Sequence, residues 1–313
     1  MESIYRQMIA EAEGGQSFKS INGFNILNFP LDVPFNVDIL DFLEDTFEKY
    51  YKLLDRIIEI KKRNDINVDQ VHSLGDCLIN VIKSVRNGKI IDAYLAFESI
   101  IDKVKDQIPV SNMENGYYYR MRGQRNIVGV SEMYPLPPKL RYKSSSERFS
   151  ISGYPCFYIG QSRNVCKTEI GECGTMVRLE LNNGVKFKLY DLTFTEGELN
   201  EENNELKFIR VWPLVASCYI NQFYCVKRNR LCPPEMISYN ENYTIPQFFT
   251  IYVRKMCDEI NGIRYYTAKE RNLNICGKGE EDMRNIVLFV DSSSDTSYDK
   301  FVRQFKWGNP YNV

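Results

Sequence analysis

The first third of the chain carries apolar residues with the period of an α-helix. Between residues 36 and 63 they recur three or four positions apart, which predicts one long amphipathic helix. Its apolar stripe consists of Ile39, Leu43, Phe47, Tyr50, Leu54 and Ile57. Two more helices are predicted, over Val68–Ser84 and over a stripe from Tyr94 to Ile108. Because no such helix buries its stripe alone, we expect the three to pack together or against the rest of the chain.

After a linker at residues 109–116 the pattern changes to short apolar runs bounded by turn residues, which predicts strands. The predicted strands are Tyr117–Arg122, Pro155–Ile159, Met176–Leu181, Val185–Leu192, Gly262–Tyr266 and Asn285–Val290. Further helices are predicted around Leu206–Lys227 and Ile245–Ile260, and the aromatic tail near Trp307 is expected to dock onto the surface. We therefore expect an α+β protein, with a helical domain over residues 1–115 and a sheet domain over residues 116–313.

Composition and charge narrow the class of protein. The 313 residues include 40 Lys and Arg against 41 Asp and Glu, a balance that argues against broad electrostatic binding of nucleic acid. Neither a membrane-spanning apolar run nor a secretory signal is recognisable, so we expect a cytoplasmic protein with reduced cysteines. His72 is the only histidine, which excludes a His-rich metal site, and no metal is predicted.

One stretch, residues 146–171, combines groups that can bind an anionic, ring-bearing ligand. Arg148 precedes the predicted strand and Tyr158 lies near its end. Ser162 can then cap a helix that carries Glu169 one to two turns later. A cation, an aromatic ring and a carboxylate can therefore converge at one end of one strand. On spacing alone, a surface arginine, a core tyrosine and an exposed helix carboxylate are the more common interpretations.

The same stretch resembles the core of the RES domain family, which is named for an arginine, a glutamate and a serine. The matching segments are Arg148-Phe149-Ser150-Ile151-Ser152-Gly153, Phe157-Tyr158-Ile159 and Thr168-Glu169. The family's serine segment is similar to Gly262–Thr267 ahead of Asn285–Phe289, with Thr267 in the place of the serine. The family's opening strand is similar to Tyr117–Arg122, which contributes Arg120. The resemblance covers about residues 116–291.

This resemblance implies an ADP-ribosyltransferase-like mixed sheet that cleaves NAD⁺ at the nicotinamide–ribose bond and passes ADP-ribose to phosphate or water. NAD⁺ would be the substrate, with no further cofactor. The resemblance assigns catalysis to Glu169, Arg148, Tyr158 and Thr267, and substrate binding to Arg120, Arg148, Tyr158 and Thr267. A carboxylate suits the role because the ribose gains oxocarbenium character, and a guanidinium pairs well with pyrophosphate.

The resemblance also implies a toxin or defence effector of the toxin–antitoxin kind, a homo-oligomer with an inhibitory protein partner. We expect the helical residues 1–115 to regulate the activity or to bind that partner. Two alternatives stay open. One is a protein ADP-ribosyltransferase that uses the same pocket, and the other is a catalytically silent nucleotide- or partner-binding module.

Overall fold

The computed structural model describes residues 8, 10–11, 27, 29–34, 37–61, 66–193, 202–222, 240–269, 283–290 and 299–313. The chain forms two compact units, and each is built from separate stretches of sequence. The helical unit comprises Met1–Pro109, Phe194–Phe248 and Arg271–Cys276. The sheet unit comprises Val110–Thr193, Phe249–Glu270 and Gly277–Val313. The α+β class and the helical N-terminal part are confirmed.

Most helices of the described ranges follow the predicted apolar stripes; the helix at Arg163–Ile170 follows the predicted Ser162 cap, and the short helix at Asp299–Val302 was not predicted. The helices are α1 (Ile39–Lys61), α2 (Val68–Arg86), α3 (Ile90–Val104), α4 (Arg163–Ile170), α5 (Glu202–Cys218), α6 (Thr244–Met256) and α7 (Asp299–Val302). Of the helix predicted over Leu206–Lys227, residues 223–227 lie outside the described residues. None of the described helices combines the length and the apolar character that a membrane span requires.

The strands are short, and most follow the predicted runs. They are β1 (Leu31–Val33), β2 (Val110–Asn112), β3 (Tyr117–Arg122), β4 (Cys156–Gly160), β5 (Thr175–Leu181), β6 (Lys188–Asp191), β7 (Ile220–Gln222), β8 (Gly262–Tyr266), β9 (Arg284–Phe289), β10 (Phe305–Trp307) and β11 (Tyr311–Asn312). The aromatic tail enters the core rather than resting on the surface, because Phe301 and Phe305 are buried and Phe305 pairs with Leu181 of β5.

The helical unit is closed by a helix that the sequence analysis assigned to the other domain. Trp212 of α5 stacks on Tyr50 of α1, with ring centroids 3.9 Å apart, and Phe47 meets the same indole edge-on at 6.1 Å. The Tyr50 hydroxyl also donates to the carbonyl of Ile209 at 2.8 Å. The predicted boundary at residue 115 therefore differs from the observed division, since the apolar stripe of α1 is covered by residues far along the chain.

The sheet unit contains one mixed sheet with the strand order β10-β5-β3-β4-β9-β8-β6-β2, and β11 pairs separately with β5. The pair β6–β8 is parallel, whereas β3, β4, β5 and β9 pair antiparallel with their neighbours. Since successive side chains of a strand point to opposite faces, the sheet has two distinct surfaces. We call them the Phe157 face, with the larger apolar cluster, and the α4 face, on which α4 packs.

The two faces differ in what covers them. On the Phe157 face, Phe157 and Ile159 of β4 pack with Leu179 of β5 and Leu288 of β9. On the α4 face, α4 places Val165 and Cys166 against the methionines of β3 and β5, Met121 and Met176. The apolar cluster on the α4 face is the smaller of the two, and polar side chains occupy the strand ends beside it. The candidate site lies among these polar side chains.

Candidate active site

The start of α4 has the geometry that the sequence predicts. The Ser162 hydroxyl accepts the backbone N–H of Val165 at 3.1 Å, which caps the helix. The helix lies close to β4 because Gly160 has no side chain. A Cβ at Gly160 would clash with Val165 Cγ1 and would lie 2.8 Å from Cys166 Sγ. This close approach brings the last turn of α4, which carries Glu169, over the ends of the central strands.

The Glu169 carboxylate is held between an amide and a cation. Its Oε1 accepts a hydrogen bond from Asn285 Nδ2 at 2.8 Å, and its Oε2 lies 3.8 Å from Lys269 Nζ. The Lys269 ammonium also donates to the backbone carbonyl of Glu169. The Glu169 side chain is 26% exposed, so the carboxylate is both fixed in position and accessible to a ligand.

Asn285 and Lys269 are site residues that the sequence analysis missed. Asn285 is a buried residue of β9, registered between Gly160 of β4 and Tyr265 of β8. The available signal was an amide at the start of an otherwise apolar strand, where a buried polar group needs a partner. For Lys269 no signal stood out, because it lies in a polar stretch beyond β8.

The strand register places Tyr158 on the same face as Asn285. Tyr158 pairs with Val287, which lies two residues from Asn285 along β9. The Tyr158 hydroxyl is buried and makes no hydrogen bond among the described residues, although it lies close to Ser150. Burial raises the pKa of Tyr158 well above its usual value, so this phenol stays neutral at physiological pH.

Thr267 follows β8 and faces the same region as Tyr265, two residues earlier in the strand direction. Its backbone N–H donates to the carbonyl of Met283 at 3.0 Å, which continues the ladder beyond the strand. Its buried hydroxyl oxygen accepts the backbone N–H of Lys269 at 3.2 Å. Thr267 therefore helps to fix the chain that delivers Lys269 to Glu169.

Arg148 lies in a loop that packs onto the same face. The next residue, Phe149, is buried with its ring 4.7 Å from the ring of Tyr265, and Thr250 Oγ1 donates to the Phe149 carbonyl at 3.2 Å. Two backbone hydrogen bonds between Glu147 and Ser150 close the turn around Arg148. The predicted cation is thus anchored next to Tyr265, and its own side chain is half-buried.

Arg120 is the predicted site residue that the structure does not bring to this cluster. It registers with Val177 of β5, so its side chain lies on the Phe157 face. There its guanidinium lies 4.6 Å from the ring centroid of Phe157 and donates to the Tyr158 carbonyl at 2.8 Å. Burial, together with the charge of Arg122, lowers the pKa of Arg120 to about 9, so the group stays charged at neutral pH. Strand alternation accounts for this placement, because the preceding residue of β3, Tyr119, packs on the α4 face.

The α4 face therefore gathers Asn285 and Lys269 around Glu169, with Tyr158 and Thr267 on the same side of the sheet. A carboxylate held in this way can stabilise a positive charge that develops on a bound ligand. Among the described residues, no group of three or more His, Cys, Asp and Glu side chains is arranged to hold a metal ion.

Comparison with known proteins yields one distant relative. The chain is 23% identical over 277 residues to a Bacillus subtilis (strain 168) protein named "Putative toxin YopC". The alignment covers 77% of this chain and 59% of that protein, so the chain spans about three fifths of the relative's length. No family model matches the chain, and no solved structure matches it.

Proposed function

We propose that this chain is a toxin that cleaves NAD⁺ at the nicotinamide–ribose bond, with Glu169 as the carboxylate that faces the ribose. The observation that carries the proposal is the Glu169 carboxylate itself, fixed by Asn285 at 2.8 Å and still 26% exposed, on the sheet face that Tyr158 shares. The name of the Bacillus subtilis relative supports the toxin part of the proposal. The resemblance to RES domains supports the choice of substrate.

The reaction fits the chemistry of a single carboxylate. The C–N bond breaks and its electron pair leaves with nicotinamide, which departs as a neutral base, so little acid catalysis is needed. The ribose carbon is left with oxocarbenium character, and the negative charge of Glu169 stabilises it. A water or phosphate oxygen then bonds to that carbon; when water is the acceptor, its proton passes to the solvent.

The other residues of the α4 face would bind the dinucleotide. Arg148 supplies a cation for the pyrophosphate, for which a guanidinium is well suited. Tyr158 offers a neutral ring and a buried hydroxyl to a base or a ribose. Thr267 accepts a hydrogen bond from the backbone N–H of Lys269 and so helps to position Lys269 beside the Glu169 carboxylate.

The test is to incubate the purified full chain with NAD⁺, with and without phosphate, and to identify the products by mass spectrometry. We expect nicotinamide together with ADP-ribose or its phosphate ester. The Glu169→Gln variant should lose at least about a hundredfold in turnover, as expected for the loss of a charge that stabilises the transition state. The matched control is Glu180→Gln, which removes a carboxylate of β5 whose partner is Lys306 and should leave turnover unchanged.

Each other outcome points to a different conclusion. Nicotinamide release that persists in Glu169→Gln would contradict the assignment of the carboxylate. ADP-ribose found attached to protein, rather than free in solution, would replace cleavage with protein ADP-ribosylation at the same site. Binding of NAD⁺ without any release of nicotinamide by the wild-type chain would leave a silent binding module and overturn the proposal.

A further inference from the structure

We infer that Asn285 is a positioning residue for the reaction proposed above, on which this inference rests. Its amide fixes one oxygen of the Glu169 carboxylate and thereby sets the direction of the other. Asn285 itself need not touch the substrate.

Asn285 is held in place by the strands on both sides of β9, in the middle of the sheet. The strand β9 is paired on both sides, with β4 and with β8, so its backbone is held by two ladders. Within β9, Asn285 is 5% exposed and lies between Gly160 and Tyr265 of the neighbouring strands. A donor on such a buried central strand has few alternative positions, which is the condition for precise support of a functional group.

Glu169 needs such support because its own helix is short. The helix α4 has 8 residues, and Gly171 ends it directly after the turn that carries Glu169, at a φ of 122° that favours glycine. A carboxylate in the last turn of a short helix would otherwise sample several rotamers. The hydrogen bond from Asn285 selects one of them, and Gly160 makes it reachable by allowing α4 to lie close to β4.

The chemistry of an amide suits this role. An ionised carboxylate only accepts hydrogen bonds, so the NH₂ side of Asn285 must face it. A neutral donor orients the carboxylate without cancelling its charge, whereas the charge is what the proposed reaction uses. Lys269 cannot replace it as a fixed support, because its side chain is 57% exposed and its Nζ lies 3.8 Å from the carboxylate oxygen.

The experiment compares steady-state NAD⁺ cleavage by the wild-type full chain with Asn285→Ala and Asn285→Asp. Asn285→Ala should lower kcat by about tenfold to a hundredfold, because a carboxylate misplaced by about 1 Å loses much of its effect. KM should change by less than about threefold, since the residue supports the transition state rather than uniform binding. Nicotinamide release is the signal for both variants.

The pH profile distinguishes positioning from a merely structural role. Asn285→Asp keeps the shape of the side chain but places a second carboxylate at hydrogen-bond distance from Glu169. Two such carboxylates share one proton, so the acid limb of the kcat profile should move to higher pH. Loss of packing alone would lower kcat without moving this limb.

The matched control is Asn182→Ala. Asn182 lies in the same unit and also donates one amide hydrogen bond, from its Nδ2 to the Arg303 carbonyl at 2.7 Å, away from Glu169. We expect this variant to keep the wild-type kcat and pH profile. Thermal unfolding of all variants identifies any that fail to fold. If Asn285→Ala fails to fold, the more conservative Asn285→Asp supplies the result.

The experiment separates a failure of the proposed function from a failure of the positioning role of Asn285. A wild-type chain without nicotinamide release overturns the proposed function and this inference with it. Wild-type release combined with an unchanged kcat in Asn285→Ala and an unmoved acid limb in Asn285→Asp overturns the positioning role alone.

Discussion

Thr267 shows how a single hydroxyl is used at the edge of the candidate site. Its oxygen accepts the backbone N–H of Lys269 at 3.2 Å, and the residue is fully buried. Serine and threonine present the same oxygen, so a serine at position 267 would keep this hydrogen bond. The added methyl group fills space within the buried environment.

We predict that Thr267→Val lowers the free energy of unfolding by about 1 to 3 kcal/mol, because the Lys269 N–H loses its acceptor while the shape is conserved. Urea denaturation followed by circular dichroism measures this change. Thr267→Ser is the control, since it keeps the oxygen and should also keep NAD⁺ turnover. An unchanged stability in Thr267→Val would show that this hydrogen bond contributes nothing.

The residues of the site differ in how far the sequence could locate them. Glu169, Tyr158 and Thr267 lie in or next to short elements that a local pattern predicts: Glu169 in the last turn of α4, Tyr158 in the middle of β4 and Thr267 directly after β8. Asn285 and Lys269 reach Glu169 across 116 and 100 residues of sequence, and local patterns carry no information on such contacts. Their roles depend on which strands become neighbours, and that is set by the packing of the whole sheet.

At the level of elements, the distance between α4 and β4 depends on one glycine. A side chain at Gly160 would meet Val165 and Cys166 of α4. Cys166 is buried in this contact, where its Sγ donates to the Tyr119 carbonyl at 3.3 Å, and burial raises the pKa of Cys166 to about 12.

We predict that Gly160→Ala pushes α4 away from the sheet, with a loss of about 1 to 3 kcal/mol in the free energy of unfolding and a lower NAD⁺ turnover. Alkylation at pH 8 gives an independent measure of the displacement. In the wild type the Cys166 thiol is buried and protonated, so it should react far more slowly than the exposed Cys173. Faster alkylation of Cys166 in Gly160→Ala supports the displacement, and wild-type rates would contradict it.

Some elements could be predicted from the sequence and others could not. The strands β3 and β8 have the predicted bounds, because each is an apolar or aromatic run bounded by turn residues. The short strands β2 and β10 were missed, since three residues are too few to show a period. They exist because distant partners pair with them, Lys188 with Asn112 and Leu181 with Phe305.

At the scale of the whole molecule, the helical unit depends on two distant stretches of sequence. The ring of Trp212 stacks on Tyr50, and Tyr50 bonds to the carbonyl of Ile209. We predict that a chain that begins at residue 110 aggregates, because Trp212 and its buried neighbours then lose the helices that cover them. Size-exclusion chromatography is the measurement, and a monodisperse fragment would contradict the prediction.

Two tyrosines, the half-buried Tyr94 of the helical unit and the buried Tyr118 of the sheet unit, predict how stability depends on alkaline pH. Burial raises the pKa of Tyr94 to about 12 and that of Tyr118 to about 12, from an ordinary value of 10.0. The folded chain therefore holds these protons more tightly than the unfolded chain. Their contribution to stability is fully present below pH 10 and is lost as the pH rises through about 12.

Arg120 and Arg122 act in the opposite sense, because burial lowers the folded-state pKa of each, that of Arg120 to about 9; more tyrosines than arginines are shifted in this way. We therefore expect the free energy of unfolding to fall between pH 10 and 12, as measured by urea denaturation. Tyr118→Phe should flatten part of this fall. A profile that stays level to pH 12 would contradict the expectation.

The contact between Glu169 and Asn285 also has a consequence for a chain that is still being made on the ribosome. The carboxylate leaves the ribosome 116 residues before its amide partner does. At about 5 to 20 residues per second this delay is roughly 6 to 23 s. During that interval the nascent chain carries its acidic group without the strand that orients it, so the proposed cleavage, which needs both, cannot begin before β9 has been made.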